Sequence, residues 1–190
     1  MANSKIIIIE GPQGSGKTTF SDFVRFAISY TNLYRLCGTS VQSPTGKAKA
    51  EKMYDGLLAY IKSLENMSIN LVFDRTFFTE EVYCRLGHKE YSFTDVYDRL
   101  LDELAHMDFD IYYITLYLSD TDDFARRLDR PGKATFKTSQ FNVSNSIDQQ
   151  EAYLQLADEI KYKYPNIHVI NIDTCLDIEK NKEYLKELLS

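Results

Sequence analysis

Lys5-Ile6-Ile7-Ile8-Ile9-Glu10-Gly11-Pro12-Gln13-Gly14-Ser15-Gly16-Lys17-Thr18 is the stretch that decides how the rest of the chain is read. Residues 5–9 carry no polar alternation after Lys5, the pattern of a strand buried on both faces. A glycine-rich turn follows, and a helix is expected from about Lys17 to Tyr30. Residues 11–18 fit G-x-x-x-x-G-K-[ST]. At average residue usage this match arises by chance in on the order of one chain per hundred of this length. Here it also follows a strand and opens a helix, the context its chemistry requires. Glycines let the backbone curl until its N–H groups converge on phosphate oxygens. The helix adds its positive N-terminal end. Lys17 supplies a point charge to the β- and γ-phosphates, and the Thr18 hydroxyl is placed to ligate Mg²⁺. Gly11, Gln13, Gly14, Ser15, Gly16, Lys17, Thr18 and Thr19 are therefore the candidate nucleotide-binding residues. The competing reading is a plain glycine-rich strand–helix turn.

Outward from this stretch, apolar strands alternate with helical patterns. Strands are expected at residues 33–37, 69–73, 111–117 and 167–172. Helices are expected up to about Asn66, over Thr79–Leu86, Phe93–Met107, Asp120–Leu128 and Ile147–Tyr164, and from about Leu176. Strands separated by helices imply right-handed crossovers and a parallel sheet covered on both faces, an α/β fold. Residues 130–146 are polar, contain Pro131-Gly132, and read as a flap; with the preceding arginines they make a mobile lid over about 126–146. The 190 residues suit one domain, 1–190.

Composition excludes several classes. Apolar residues make up 44% and charged residues 26%, which is globular rather than disordered or fibrous. The longest aliphatic run, Ile6–Ile9, is too short for a bilayer span, and the first residues lack the apolar core of a secretory signal. Cys37, Cys84 and Cys175 are scattered, with no C-x-x-C pair, which argues against a disulfide or zinc framework and suits a reducing, cytoplasmic setting. The net charge of −6 speaks against stable nucleic-acid binding, so any anion must be held locally.

Three further sites carry chemistry. Asp74 ends an apolar strand and can hold Mg²⁺ beside Thr18; the alternative is a helix cap. Arg75 follows it at the carboxyl ends of the strands, where its fork suits a second phosphate; the alternative is a solvated side chain. Arg126, Arg127 and Arg130 end a short helix before the flap, and Lys133 and Lys137 continue the charge. They read either as lid arginines that close on the transferring phosphoryl group or as charges offsetting a helix dipole. Phe77, Phe78, Tyr54 and Tyr83 are candidates for stacking on a base, or for the core.

These residues resemble a thymidylate-kinase-like member of the P-loop nucleoside and nucleotide kinases, with deoxynucleoside kinases as relatives. The resemblance rests on Gly11–Thr18, on Asp74-Arg75-Thr76-Phe77-Phe78-Thr79 through Tyr83, and on Arg126–Arg130 with Ile147 and Tyr153-Leu154-Gln155-Leu156-Ala157. It implies a three-layer P-loop NTPase fold with sheet order 2-3-1-4-5. It implies ATP and Mg²⁺ as cofactors, Lys17 on the ATP phosphates, Thr18 and Asp74 on the metal, and Arg75 on the acceptor 5′-phosphate. It further implies Arg126 or Arg130 as the lid arginine, Asp173-Thr174 in the loop against adenine, a small-molecule nucleotide as partner, and homodimers as a common state among similar kinases.

Two departures bear on the acceptor. After the second strand the family usually carries Glu-Pro or a similar acidic element; here Cys37-Gly38-Thr39-Ser40 holds no carboxylate before Glu51. Deoxynucleoside kinases need a base there because their acceptor is a hydroxyl. They also place an arginine where this chain has Glu81. Both favour a (deoxy)nucleoside monophosphate acceptor. The alternatives are a deoxynucleoside kinase, a kinase acting on a modified base or end in DNA, and a GTPase-like switch. The switch lacks an N-K-x-D signature, since Asn181-Lys182-Glu183-Tyr184 has no Asp at that place.

Overall fold

The computed structural model describes residues 4–129 and 142–190. Strands β1 (Lys5–Glu10), β2 (Thr31–Arg35), β3 (Asn70–Asp74), β4 (Asp110–Tyr117) and β5 (Ile167–Asp173) form one parallel sheet in the order β2-β3-β1-β4-β5. The helices are α1 (Lys17–Ala27), α2 (Thr45–Ser63), α3 (Phe77–Arg85), α4 (Thr94–Ala105), α5 (Asp123–Leu128), α6 (Val143–Lys163) and α7 (Ile178–Leu189). The order is the one that the resemblance implies.

Successive side chains of a strand leave on opposite faces, and this explains the isoleucine run. Ile6 and Ile8, with Leu71, Phe73, Ile111 and Tyr113, enter a core beneath α2, α3, α4 and α6. Ile7 and Ile9, with Val72, Ile114 and Leu116, enter a second core beneath α1 and α7. All four isoleucines are at most 2% exposed, and burying each contributes about 2 kcal/mol. A polar residue at any of them would face a helix layer rather than water.

β2 lies two residues earlier than the sequence pattern suggests. Tyr30, in the left-handed region at φ 53, opens the ladder by accepting from Asn70 N. The ladder closes where Leu36 N donates to Asp74 O. Beyond that point β3 turns away at Arg75, so Cys37 has no strand to pair with. α6 starts at Val143 rather than Ile147 because Asn142 caps it, accepting from Asn145 N at 2.8 Å. Among the described residues, no helix is long and apolar enough to cross a membrane.

Candidate active site

The loop between β1 and α1 occupies the carboxyl end of the sheet. Gly11 has φ 144, and a Cβ there would lie 2.5 Å from Leu116 O of β4. Gly16 has φ 96 and precedes the first residue of α1. Only glycine meets both demands without strain. Lys17 is buried, and its Nζ donates to Gly11 O and Pro12 O at 2.7 Å each, so the ammonium spans the neck of the loop. Ile9 and Asp74 are register partners in β1 and β3, which sets Asp74 beside the loop. Thr18 Oγ1 donates to Asp74 Oδ2 at 3.4 Å.

A hydroxyl and a carboxylate side by side are hard oxygen donors. They fit Mg²⁺, which takes few protein ligands and completes its shell with water and phosphate oxygens. Among the described residues, no group of three or more His, Cys, Asp or Glu side chains gathers to hold a metal. With two protein oxygens, Thr18 and Asp74 suit a cation that completes its shell on water and phosphate oxygens.

Arg75 lines the same cavity of about 320 Å³ as Lys17, Thr18 and Asp74. Its backbone is left-handed, φ 76. Burial opposes its charge, but the field of Tyr153, Tyr83, Glu10 and Asp74 outweighs this and raises its pKa. Arg35, at the end of β2, also faces this cavity. It pairs with Asp22, and its Nε lies 3.7 Å from Asp74 Oδ2.

Glu10 was not singled out by the sequence, yet it is fully buried beneath the site. It accepts from Thr76 N and Thr79 Oγ1, both at 2.7 Å. Burial pushes its pKa up from 4.5 to about 7, against those hydrogen bonds and the nearby charges of Arg75 and Lys17.

A second cavity of about 500 Å³ lies on the other side of the loop, lined by Thr19, Arg126, Arg127, Cys175 and Leu176 among others. Arg127, rather than Arg126, links this cavity to the loop between β1 and α1. Its guanidinium donates to Gly14 O at 3.3 Å and to Thr174 O at 2.6 Å, and its side chain is 11% exposed. Arg126 is held by Asp123 with 77% of its side chain exposed. Arg130, Lys133, Lys137 and most of the expected lid lie outside the described residues. Asp173 turns its carboxylate back to Ser119 N and Cys175 N, at 3.1 and 2.9 Å. It thereby shapes the loop whose next three residues line the cavity.

Of the aromatics near the start of α3, Tyr54, Phe77 and Phe78 are at most 1% exposed. Phe77 and Phe78 stack with centroids 4.4 Å apart, and Phe78 packs on Tyr113. They belong to the core, which leaves Tyr83, half-buried against His88, as the aromatic of this group with a free surface. The loop after β2 carries no carboxylate of its own, but α3 brings one to it. Glu80 is 2% exposed; its Oε1 accepts from Tyr91 OH at 2.5 Å and Thr39 Oγ1 at 3.4 Å, and Lys89 Nζ lies 3.2 Å away. Glu81 is bound instead to Arg85 and Thr94.

Comparison with solved structures fits this arrangement. Thymidylate kinase from Candida albicans matches at TM-score 0.71 and 16% identity, over 100% of this chain and 92% of that one. The fold is that of P-loop nucleotide kinases. The YorR protein of Bacillus subtilis, solved in complex with phosphorylated GDP, matches this P-loop kinase fold at TM-score 0.65 and 16% identity, over 97% and 95% of the two chains. Deoxyadenosine kinase from M. mycoides with bound dATP matches at TM-score 0.61 and 19% identity, over 98% of each chain. No protein-family model and no curated sequence matches the chain.

Proposed function

We propose that this protein is an ATP-dependent nucleotide kinase that transfers the γ-phosphoryl group of ATP to a (deoxy)nucleoside monophosphate, in the manner of thymidylate kinase. The observation that carries the reading is that Lys17, Thr18, Asp74 and Arg75 open onto one cavity. A triphosphate tail held by the loop would meet a second phosphate held by Arg75 across that space. Lys17 neutralises charge on the donor, and Arg75 offers a fork to the acceptor 5′-phosphate. Most of the catalysis is positioning, because an already anionic acceptor oxygen needs no base. Thr18 and Asp74 would hold Mg²⁺, which supplies further neutralisation of the phosphate charge when bound. Arg127 ties the phosphate loop to the cavity read as the adenine site, while Arg126, Arg130 and the segment to 146 are proposed to complete a lid that excludes water.

A second reading is a deoxynucleoside kinase. Glu80 favours it, because a carboxylate does reach the loop after β2, though from α3. The test is to incubate the protein with ATP and Mg²⁺ against nucleosides, their monophosphates and DNA, following ADP release. Transfer to a monophosphate supports the first reading; transfer only to nucleosides or DNA overturns it.

A further inference from the structure

β1 ends on a carboxylate that the transfer chemistry does not use. Glu10 has no exposed surface, and it faces Thr76 and Thr79 at the start of α3. Arg75 N donates to Ile9 O at 3.3 Å, and Thr76 N donates to Glu10 Oε1 at 2.7 Å. Both peptide N–H groups around the left-handed Arg75 are thus tied to the last two residues of β1. Thr76 stands at the N-cap of α3, but its side chain caps nothing on that helix; its hydroxyl donates to Glu10 Oε1 at 3.3 Å. The Glu10 side chain thus sits at the positive end of the helix, bonded to the N-cap N–H and to the Thr79 hydroxyl of the first turn. Thr79 Oγ1 bonds Glu10 Oε2 at 2.7 Å and the Tyr153 hydroxyl of α6 at 2.9 Å, so the three side chains form one chain of hydrogen bonds. A non-glycine residue stays in the left-handed region only where its surroundings over-determine it. Here Glu10 supplies one of the two hydrogen bonds to the peptide groups that flank Arg75, and Ile9 O the other.

We infer that Glu10 is a positioning residue: its carboxylate joins β1, the first turn of α3 and, through Thr79, Tyr153 of α6, and so holds the Arg75 turn with its guanidinium toward the phosphate-loop cavity. It touches neither nucleotide. Glu10 also leads directly into Gly11, so the same residue sets the acceptor arginine relative to the donor loop. The inference rests on the reading of Arg75 as the acceptor-phosphate ligand.

The test is a double-mutant cycle on the full chain, with the monophosphate that the wild type uses best. Glu10→Ala is expected to raise the acceptor KM at least about tenfold and the ATP KM less than about threefold. In an Arg75→Ala background the same substitution should cost less than about twofold, because no guanidinium remains to be positioned. Glu10→Gln keeps two polar atoms in place and should recover most of the loss. Equal losses in both backgrounds, or an effect confined to ATP, overturn the inference. If Glu10→Ala does not fold, Thr79→Val carries the same cycle with one bond removed. Hydrogen exchange over residues 75–79 provides a readout independent of activity. It should quicken in Glu10→Ala and not in Glu10→Gln. A wild type that phosphorylates nothing overturns the proposed function, and exchange then decides the clamp: faster supports it, unchanged overturns it.

Discussion

Replacing Glu10 by Gln removes a buried titration while nearly preserving shape, so its effect on stability should depend on pH in a calculable way. An unfolded chain releases the Glu10 proton near 4.5, whereas the folded chain retains it to about 7. That span, at ~1.4 kcal/mol per pH unit, makes about 3 kcal/mol. The contribution favours folding in full below the unfolded value and is lost as pH rises through about 7. Gln has no such loss. The stability of Glu10→Gln minus that of wild type should therefore become more positive by about 3 kcal/mol between about pH 4.5 and pH 8. Urea denaturation of both proteins across that range measures it, and titrating groups that do not interact with Glu10 cancel in the difference. Stability curves that stay parallel would refute the assignment of a proton to this site.

Other substitutions separate the roles. Lys17→Ala should lower kcat/KM by more than about tenfold, or roughly 1.4 kcal/mol of transition-state binding, in the ADP-release assay. Arg75→Ala should lose at least about as much, mainly through the acceptor KM; a wild-type rate would remove Arg75 from the acceptor site. Gly11→Ala should destabilise by about 2 kcal/mol, a fall in Tm of roughly 4–8 °C by calorimetry, because its Cβ would meet Leu116 O. Arg127→Ala should raise the ATP KM more than Arg126→Ala does, since Arg127 alone of the two touches the phosphate loop.

The parts of this molecule that depend on local pattern were legible in the sequence. The isoleucine run, the glycine turn and Lys17 lie within a few residues of one another, and each needs only its neighbours to be interpreted. The five-strand alternation followed from the same logic. What local pattern does not carry is long-range in the chain. Glu10 reads as the polar end of a strand; its importance comes from Thr76 and Thr79, which lie more than sixty residues away. Glu80 looks like a helix-surface charge until the loop after β2 folds against it. Arg126 and Arg127 are indistinguishable by composition, and the turn of α5 turns one toward Gly14 and the other outward. The stacking aromatics were ambiguous for the same reason: core and binding face share a composition, and packing against Tyr113 assigned Phe78 to the core.

The central claim is that the phosphate loop and Arg75 address two anions across one cavity. Calorimetric titration with adenosine joined to a nucleoside through five phosphates, in Mg²⁺ and with the nucleoside varied, tests it most directly. Such a bridge should bind at least about tenfold tighter than ATP, and Arg75→Ala should abolish the advantage. A bridge that binds no tighter than ATP for any nucleoside, or one whose advantage survives the loss of Arg75, would contradict the account.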